Sequence, residues 1–345
     1  TTPSDGCGFR LRSDCLGDSA DNADDRGPAA NQTHFMLENG NAPTRRRIII
    51  AYDGSSNSKD ALALGGQLCE ALDAIPVVTY CVSFPKYLID PLELGLALDE
   101  VARPVVEEAS FRLDRPDVES RRLLDKSPAR ALHMLAEEID PAAIVIGSAH
   151  SGLFGRVKTG SVGKQLLSGA PCPVAIAPRG YAEKSRTAIS SICIALDEGA
   201  ESERALVEAT AMSNELDVPL RIISVMEPIS YGSVPRAAMA DLGLVQSRYT
   251  AQMLEEAAER THCHAPVTID RREGDPGPTL AEYSRGFDLM IVGSRGYGPL
   301  RRVLLGSVSS YLMNHAHSPL LITPRGMSTH LGQVGRVAVR ESVSS

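Results

Sequence analysis

The strongest chemical signal in the chain is a set of glycines and hydroxyls at a fixed spacing. Gly293-Ser294-Arg295-Gly296 follows a short apolar run, nine residues separate Gly296 from Gly306, and Ser307 and Ser309 come directly after. Glycine lets a backbone approach a ligand closely. Val308 and Ser309 begin a helical pattern, and the free N–H groups and dipole at a helix start favour phosphate, with the hydroxyls of Ser307 and Ser309 as added donors. The chemistry of such a loop is the cradling of phosphate groups. A partner for it lies upstream, where Asp197 ends the apolar run that begins at Ile192. In a doubly wound sheet the carboxyl ends of the first strand and of a strand beyond the reversal of strand order face one crevice. Asp197 would then reach a ribose or a phosphate-bound metal. The plainer reading of these residues is structural: glycines for turns and close helix–strand contact, and aspartate as a cap for the next helix or turn.

The same pattern occurs earlier, which organises the whole chain. Gly147 and Gly160-Ser161 repeat the separation of thirteen between the first and last glycines, with His150 at the middle position and Gly163 in the place of Ser309. Ile48-Ile49-Ile50-Ala51-Tyr52-Asp53 answers to Ile192-Cys193-Ile194-Ala195-Leu196-Asp197 at a shift of 144, and Ala61, Leu62, Leu68 and Leu72 answer to Ala205, Leu206, Met212 and Leu216. A repeat of this length implies two copies of one fold. Strands are predicted at 77–82 and 220–225, at 143–147 and 289–293, and at 174–177 and 320–323. Continuous apolar strands alternating with helical patterns predict a parallel sheet covered on both faces.

The last two strands are bracketed by Pro173 and Pro178, and by Pro319 and Pro324. Prolines at strand ends fit an edge position. An apolar edge left in water invites pairing, so the two last strands are expected to pair with each other. The fold expectation is therefore α/β, with two tandem doubly wound, parallel-sheet (Rossmann-like) domains forming an intrachain pseudo-dimer. The expected division is a disordered arm at 1–44, rich in Asp, Asn, Ser and Gly, domains at 45–180 and 187–326, and a polar tail at 327–345.

These residues together resemble the ATP-binding universal stress proteins, in a tandem form covering about 46–326. In that family the aspartate and a valine ending the second strand hold the adenosine, which the resemblance carries onto Asp197 and Val225, and onto Asp53 and Val82 in the first repeat. It implies ATP as ligand, with Mg²⁺, a regulatory role in stress tolerance with little or no hydrolysis, and dimerisation through the last strand, hence a homodimer and a regulatory protein partner.

Other classes fit less well. A dehydrogenase requires Gly-x-Gly-x-x-Gly after a first strand, and here those strands run into Asp-Gly-Ser-Ser and Asp-Glu-Gly-Ala. Gly155 to Ser161 reads Gly-Arg-Val-Lys-Thr-Gly-Ser and lacks the lysine of a P-loop. No clustered His or Lys set suggests a nucleotidyl transferase, no Ser/His/Asp or paired-carboxylate arrangement stands out, and no catalytic residue is assigned. The rival is a nucleotide-free interaction scaffold, favoured by His150 in the first motif.

With 43 acidic and 35 basic residues the formal charge is −8, which gives no footprint for nucleic acid or an anionic membrane. No apolar run is long enough to span a bilayer and the first residues lack a signal-peptide core, so a cytoplasmic location is expected. Seven scattered cysteines without a Cys-x-x-Cys pair point to small buried side chains, and no metal site is assigned, His262-Cys263-His264 included. Arg156 and Arg302, 146 residues apart, are read as surface or phosphate-contacting. His315 and His317 are read as caps for the last helix.

Overall fold

The computed structural model describes residues 45–82, 91–149, 153–184, 188–228, 236–294 and 306–324. The expected arm at 1–44 and tail at 327–345 lie outside them. The first repeat runs β1 (Arg47–Ala51), α1 (Ser56–Ala71), β2 (Ile75–Val82), α2 (Pro91–Leu113), β3 (Glu119–Leu124), α3 (Pro128–Ile139), β4 (Ala143–Gly147), α4 (Ser161–Leu167) and β5 (Val174–Ala177). A short helix α5 (Tyr181–Lys184) leads towards the second repeat. There follow β6 (Ile192–Ala195), α6 (Ala200–Leu216), β7 (Leu220–Met226), α7 (Arg236–Arg260), β8 (Val267–Glu273), α8 (Pro276–Tyr283), β9 (Leu289–Gly293), α9 (Ser307–His315) and β10 (Leu320–Thr323).

The ten strands among the described residues form one sheet in the order β3-β2-β1-β4-β5-β10-β9-β6-β7-β8. Pairing within each repeat is parallel, and the repeats join where β10 runs antiparallel to β5, with Leu320 opposite Ile176, Leu321 opposite Ala175 and Ile322 opposite Val174. The intrachain pseudo-dimer expected from the apolar last strands is therefore present. A dimer of two chains through those strands is a different matter. β5 already pairs with β4 and β10, and β10 with β9 and β5. A strand has two hydrogen-bonding edges, so neither retains one for a second chain, and the expected contact through the last strands is corrected to an internal one.

Side chains alternate across each strand and feed two cores. Ile48, Ile50, Ile192 and Ile194 face α1 and α6 on one side, whereas Ile49, Ile144, Cys193 and Ile223 face the α3, α4, α8 and α9 side. Each core runs through both repeats. Cys69, Cys172 and Cys193 are buried within them, small apolar side chains as expected.

Polar contacts also cross between the repeats and fix the connector. Arg46, just before β1, makes a two-pronged ion pair with Glu215 near the end of α6, one prong being Nη1 to Oε2 at 2.6 Å. Asp60, buried in α1, accepts from the amides of Gly180 and Ala182 at 2.8 Å each. Burial raises its pKa, and those amides oppose the rise by favouring the carboxylate.

Because the two cores are continuous through β5 and β10, the described chain should unfold as one unit. Leu321→Ala removes methyl groups from a site 1% exposed and should cost about 2–5 kcal/mol. Urea denaturation followed by circular dichroism should show a single transition moved to lower urea. Two separated transitions would show that the repeats unfold independently.

Candidate functional site

Each repeat opens a crevice where the strand order reverses, between the carboxyl ends of its first and fourth strands. In the first repeat this is a cavity of about 450 Å³ lined by Asp53, Cys81, Gly147, Ser148, Gly160 and Ser161, with Tyr52 and Ile146 among the apolar walls. Asp53 follows β1, and its Oδ1 accepts the Ser55 amide at 3.0 Å, closing the turn into α1. The helix cap itself is Ser55, whose Oγ accepts the Ser58 amide. Ser148 Oγ donates to the Ala177 carbonyl at 2.7 Å and accepts from the Lys158 amide at 3.1 Å. This ties the end of β4 to β5 and to the returning loop.

The second crevice is narrower, about 100 Å³, and is lined by Asp197, Glu201, Val225, Gly293, Ser307 and Ser309, with Gly306 between strand and helix. It continues into an open depression of about 590 Å³ that shares Asp197, Glu201, Val225 and Glu227 and adds Glu198. Asp197 Oδ1 accepts from the Gly199 amide at 2.9 Å and from Ser202 Oγ at 2.5 Å. Both aspartates therefore shape the turn after their strand while lining the crevice.

The glycines divide into two kinds. A Cβ on Gly147 would lie 2.0 Å from the Asn57 carbonyl oxygen, and one on Gly293 would lie 2.8 Å from the Glu201 backbone. These two let α1 and α6 pass over the strand ends. Gly160 and Gly306 precede α4 and α9 in extended conformation, with φ of −78° and −63°. The nearest atom to a Cβ on Gly160 is Ala149 Cβ at 3.5 Å. Gly296, Arg302 and His150 lie outside the described residues.

Residues 44–178 and 189–324 each match the profile of the Universal stress protein family. The chain belongs to that family. It is 25% identical over 288 residues to universal stress protein Rv2005c of Mycobacterium tuberculosis, covering 80% of this chain and 96% of that one. With universal stress protein Rv2623 of the same organism it shares 27% identity over 237 residues, covering 68% and 77%. A solved universal stress protein from Archaeoglobus fulgidus superposes with a TM-score of 0.60 at 19% identity, covering 81% of this chain and 98% of that one. At that identity the likeness shows the fold.

For this tandem universal stress protein the structure moves two of the sequence-derived site assignments. Val82 does not line the first crevice, and Cys81 does. The reason is the period of two along a strand: Ala51 pairs with Thr79 and Ala195 with Ile223, so the residue equivalent to Val225 is Cys81 and Val82 faces away. Ser309 was expected to donate to phosphate, but its hydroxyl proton is engaged by the Gly293 carbonyl at 2.9 Å. It pins α9 to β9 and lines the crevice as an acceptor. Arg156 does not line the crevice; its field reaches His317 of the other repeat, where burial first, then Arg285 and Arg156, lowers the imidazole pKa. His315 Nδ1 lies 2.8 Å from the Tyr311 carbonyl oxygen, as a cap should, whereas His317 contributes its backbone amide to Ser284 Oγ.

The two kinds of glycine should separate under substitution. Gly147→Ala collides with backbone and should lose roughly 1–3 kcal/mol of stability, whereas Gly160→Ala should stay within about 0.5 kcal/mol of wild type. Chemical denaturation of the two variants measures the difference, and equal losses would refute the distinction.

Proposed function

We propose that this universal stress protein binds ATP with Mg²⁺ in its crevices and acts as a regulatory stress-response protein with little or no ATP hydrolysis. The observation that carries the reading is the first crevice. Its volume lies within the usual range for small-molecule sites, and it sits where doubly wound sheets bind ligands. Asp53, Cys81, Ile146, Gly160 and Ser161 all line it, and in this reading Asp53 accepts from ribose hydroxyls while Cys81 and Ile146 form an apolar wall for the base. Asp197, Val225, Gly293, Gly306 and Ser307 form the corresponding set in the second crevice.

Among the described residues no three His, Cys, Asp or Glu side chains converge to hold a metal. In this reading the ligands of Mg²⁺ are mainly phosphate oxygens and water. The residues named supply hydrogen bonds and apolar contact, which suffice for binding and require no proton transfer. Among the described residues no helix is long and apolar enough to cross a membrane, and a cytoplasmic location is part of the proposal.

The second reading, a nucleotide-independent scaffold, is favoured by the narrowness of the second crevice and by Glu198, Glu201 and Glu227 around its mouth. Protein purified without added nucleotide, denatured and analysed by chromatography distinguishes the two. One or two moles of adenine nucleotide per mole of chain supports ATP binding, and Gly160→Arg and Gly306→Arg assign the crevice that holds it. None, even after titration with MgATP, supports the scaffold. Phosphate release from bound ATP, followed over hours, tests the claim of low hydrolysis.

Cys81 gives an independent check. Burial first, then Asp125 and Asp53, pushes its thiol up to about 11, so the thiolate form is scarce at neutral pH and grows as pH rises. Alkylation of Cys81, read by peptide mass spectrometry, should accelerate about tenfold per pH unit between pH 8 and 10, and MgATP should slow it. Equal rates with and without MgATP would remove the first crevice from the proposal.

A further inference from the structure

The loop that closes the first crevice is held by the second repeat. Val157 donates its amide to the Ala316 carbonyl at 2.8 Å, and Thr159 donates both its amide, at 2.8 Å, and its hydroxyl, at 2.9 Å, to the Met313 carbonyl. Val157 and Thr159 are 0% and 4% exposed. The last carbonyls of a helix have no partner within it. Here Met313, in the final turn of α9, obtains its partner from a residue more than 150 positions earlier. The next residue after Thr159 is Gly160, which lines the first crevice.

The other end of α9 belongs to the second crevice. Ser307 and Ser309 line it, and Ser309 Oγ binds the Gly293 carbonyl at the end of β9. α9 is nine residues long, about 13 Å from end to end. It is a single rigid element with one crevice at its amino end and the loop of the other crevice hydrogen-bonded at its carboxyl end. The imidazole of His317, just beyond, is influenced by the Gly155 backbone and by the charge of Arg156 in the first repeat.

We propose that the two crevices are energetically coupled through α9, so that nucleotide in one changes the affinity of the other. The inference rests on the nucleotide reading above and adds regulation to it. A ligand that draws on the amino end of α9 acts on the carbonyls that hold Val157 and Thr159. By linkage the effect is reciprocal. Thr159 is the positioning residue: it does not line the first crevice, and it carries two of the three hydrogen bonds.

The test is calorimetric titration of the full chain with MgATP, in wild type, Gly160→Arg, Gly306→Arg and Thr159→Val, with circular dichroism confirming that each is folded. The product of the two stepwise binding constants of wild type should differ by about fivefold or more from the product of the constants of the two single-crevice variants, the lower range of known couplings. Thr159→Val keeps both crevices and loses the hydroxyl bond to Met313. It should bind two nucleotides with a product closer to that of the single-crevice variants, which also covers the case in which an arginine variant fails to fold. Equal products in wild type and single-crevice variants, a Thr159→Val product unchanged from wild type, or only one binding event in wild type would overturn the coupling and leave nucleotide binding standing. No binding by any of the four proteins would overturn both.

Discussion

The antiparallel pairing of β5 with β10 is the constraint on which the remaining arrangement depends. Each strand is four residues long and buried throughout, and as the border of its own repeat each would present an apolar edge to water. Pairing them merges two five-stranded sheets into one and carries both cores across the junction. It also sets direction. Strands are parallel within a repeat and antiparallel across the seam, so the carboxyl ends of the two halves, and the crevices at those ends, face opposite edges of the common sheet. The end of α9 leads into the start of β10, and the start of β10 lies beside the end of β5. The carboxyl end of α9 is thereby brought to the loop of the first crevice, and a polar link between the repeats follows from the geometry of the seam.

The crevices themselves show how one residue serves fold and site together. Asp53 and Asp197 each close a turn with a backbone amide two residues on, and each still borders its crevice. The two readings open at the level of sequence, cap or ligand contact, are compatible because a carboxylate has several acceptor positions. Gly147 and Gly293 meet a backbone constraint so severe that packing alone accounts for them. Gly160 and Gly306 differ, for φ demands glycine at neither position and position 160 is uncrowded.

Much of this was legible in the sequence because the chain states it twice. The apolar runs at β1, β2, β4 and β5 and their counterparts stood out as buried parallel strands, and the proline brackets marked the last of each set. β3 and β8 did not stand out. Their sequences, Glu119–Leu124 and Val267–Glu273, carry charge at alternate and adjacent positions and have no buried residue, which is how outer strands resist further pairing. The same charge hides them from any search for apolar runs. The assignment of Val82 failed for a different reason. The apolar run of β2 extends one residue past Cys81, the position that the shift of 144 makes equivalent to Val225, and one residue along a strand is the opposite face. The bonds of Thr159 to Met313 had no sequence signal, since they depend on which strands meet at the seam.

The departure at Gly163 gains a physical reason from the same junction. Its counterpart Ser309 uses its hydroxyl to bind Gly293, and the first repeat has no such side chain. A Cβ at Gly163 would lie 2.4 Å from Cγ2 of Thr159 and 2.9 Å from Cδ1 of Ile146. The methyl of Thr159 thus occupies the space that a serine at 163 would require. With that methyl against α4, the hydroxyl on the other branch of Cβ donates to the Met313 carbonyl. The methyl that fills the space at Gly163 and the hydroxyl that reaches Met313 thus belong to one side chain, and the glycine and the link between the repeats form one packing arrangement.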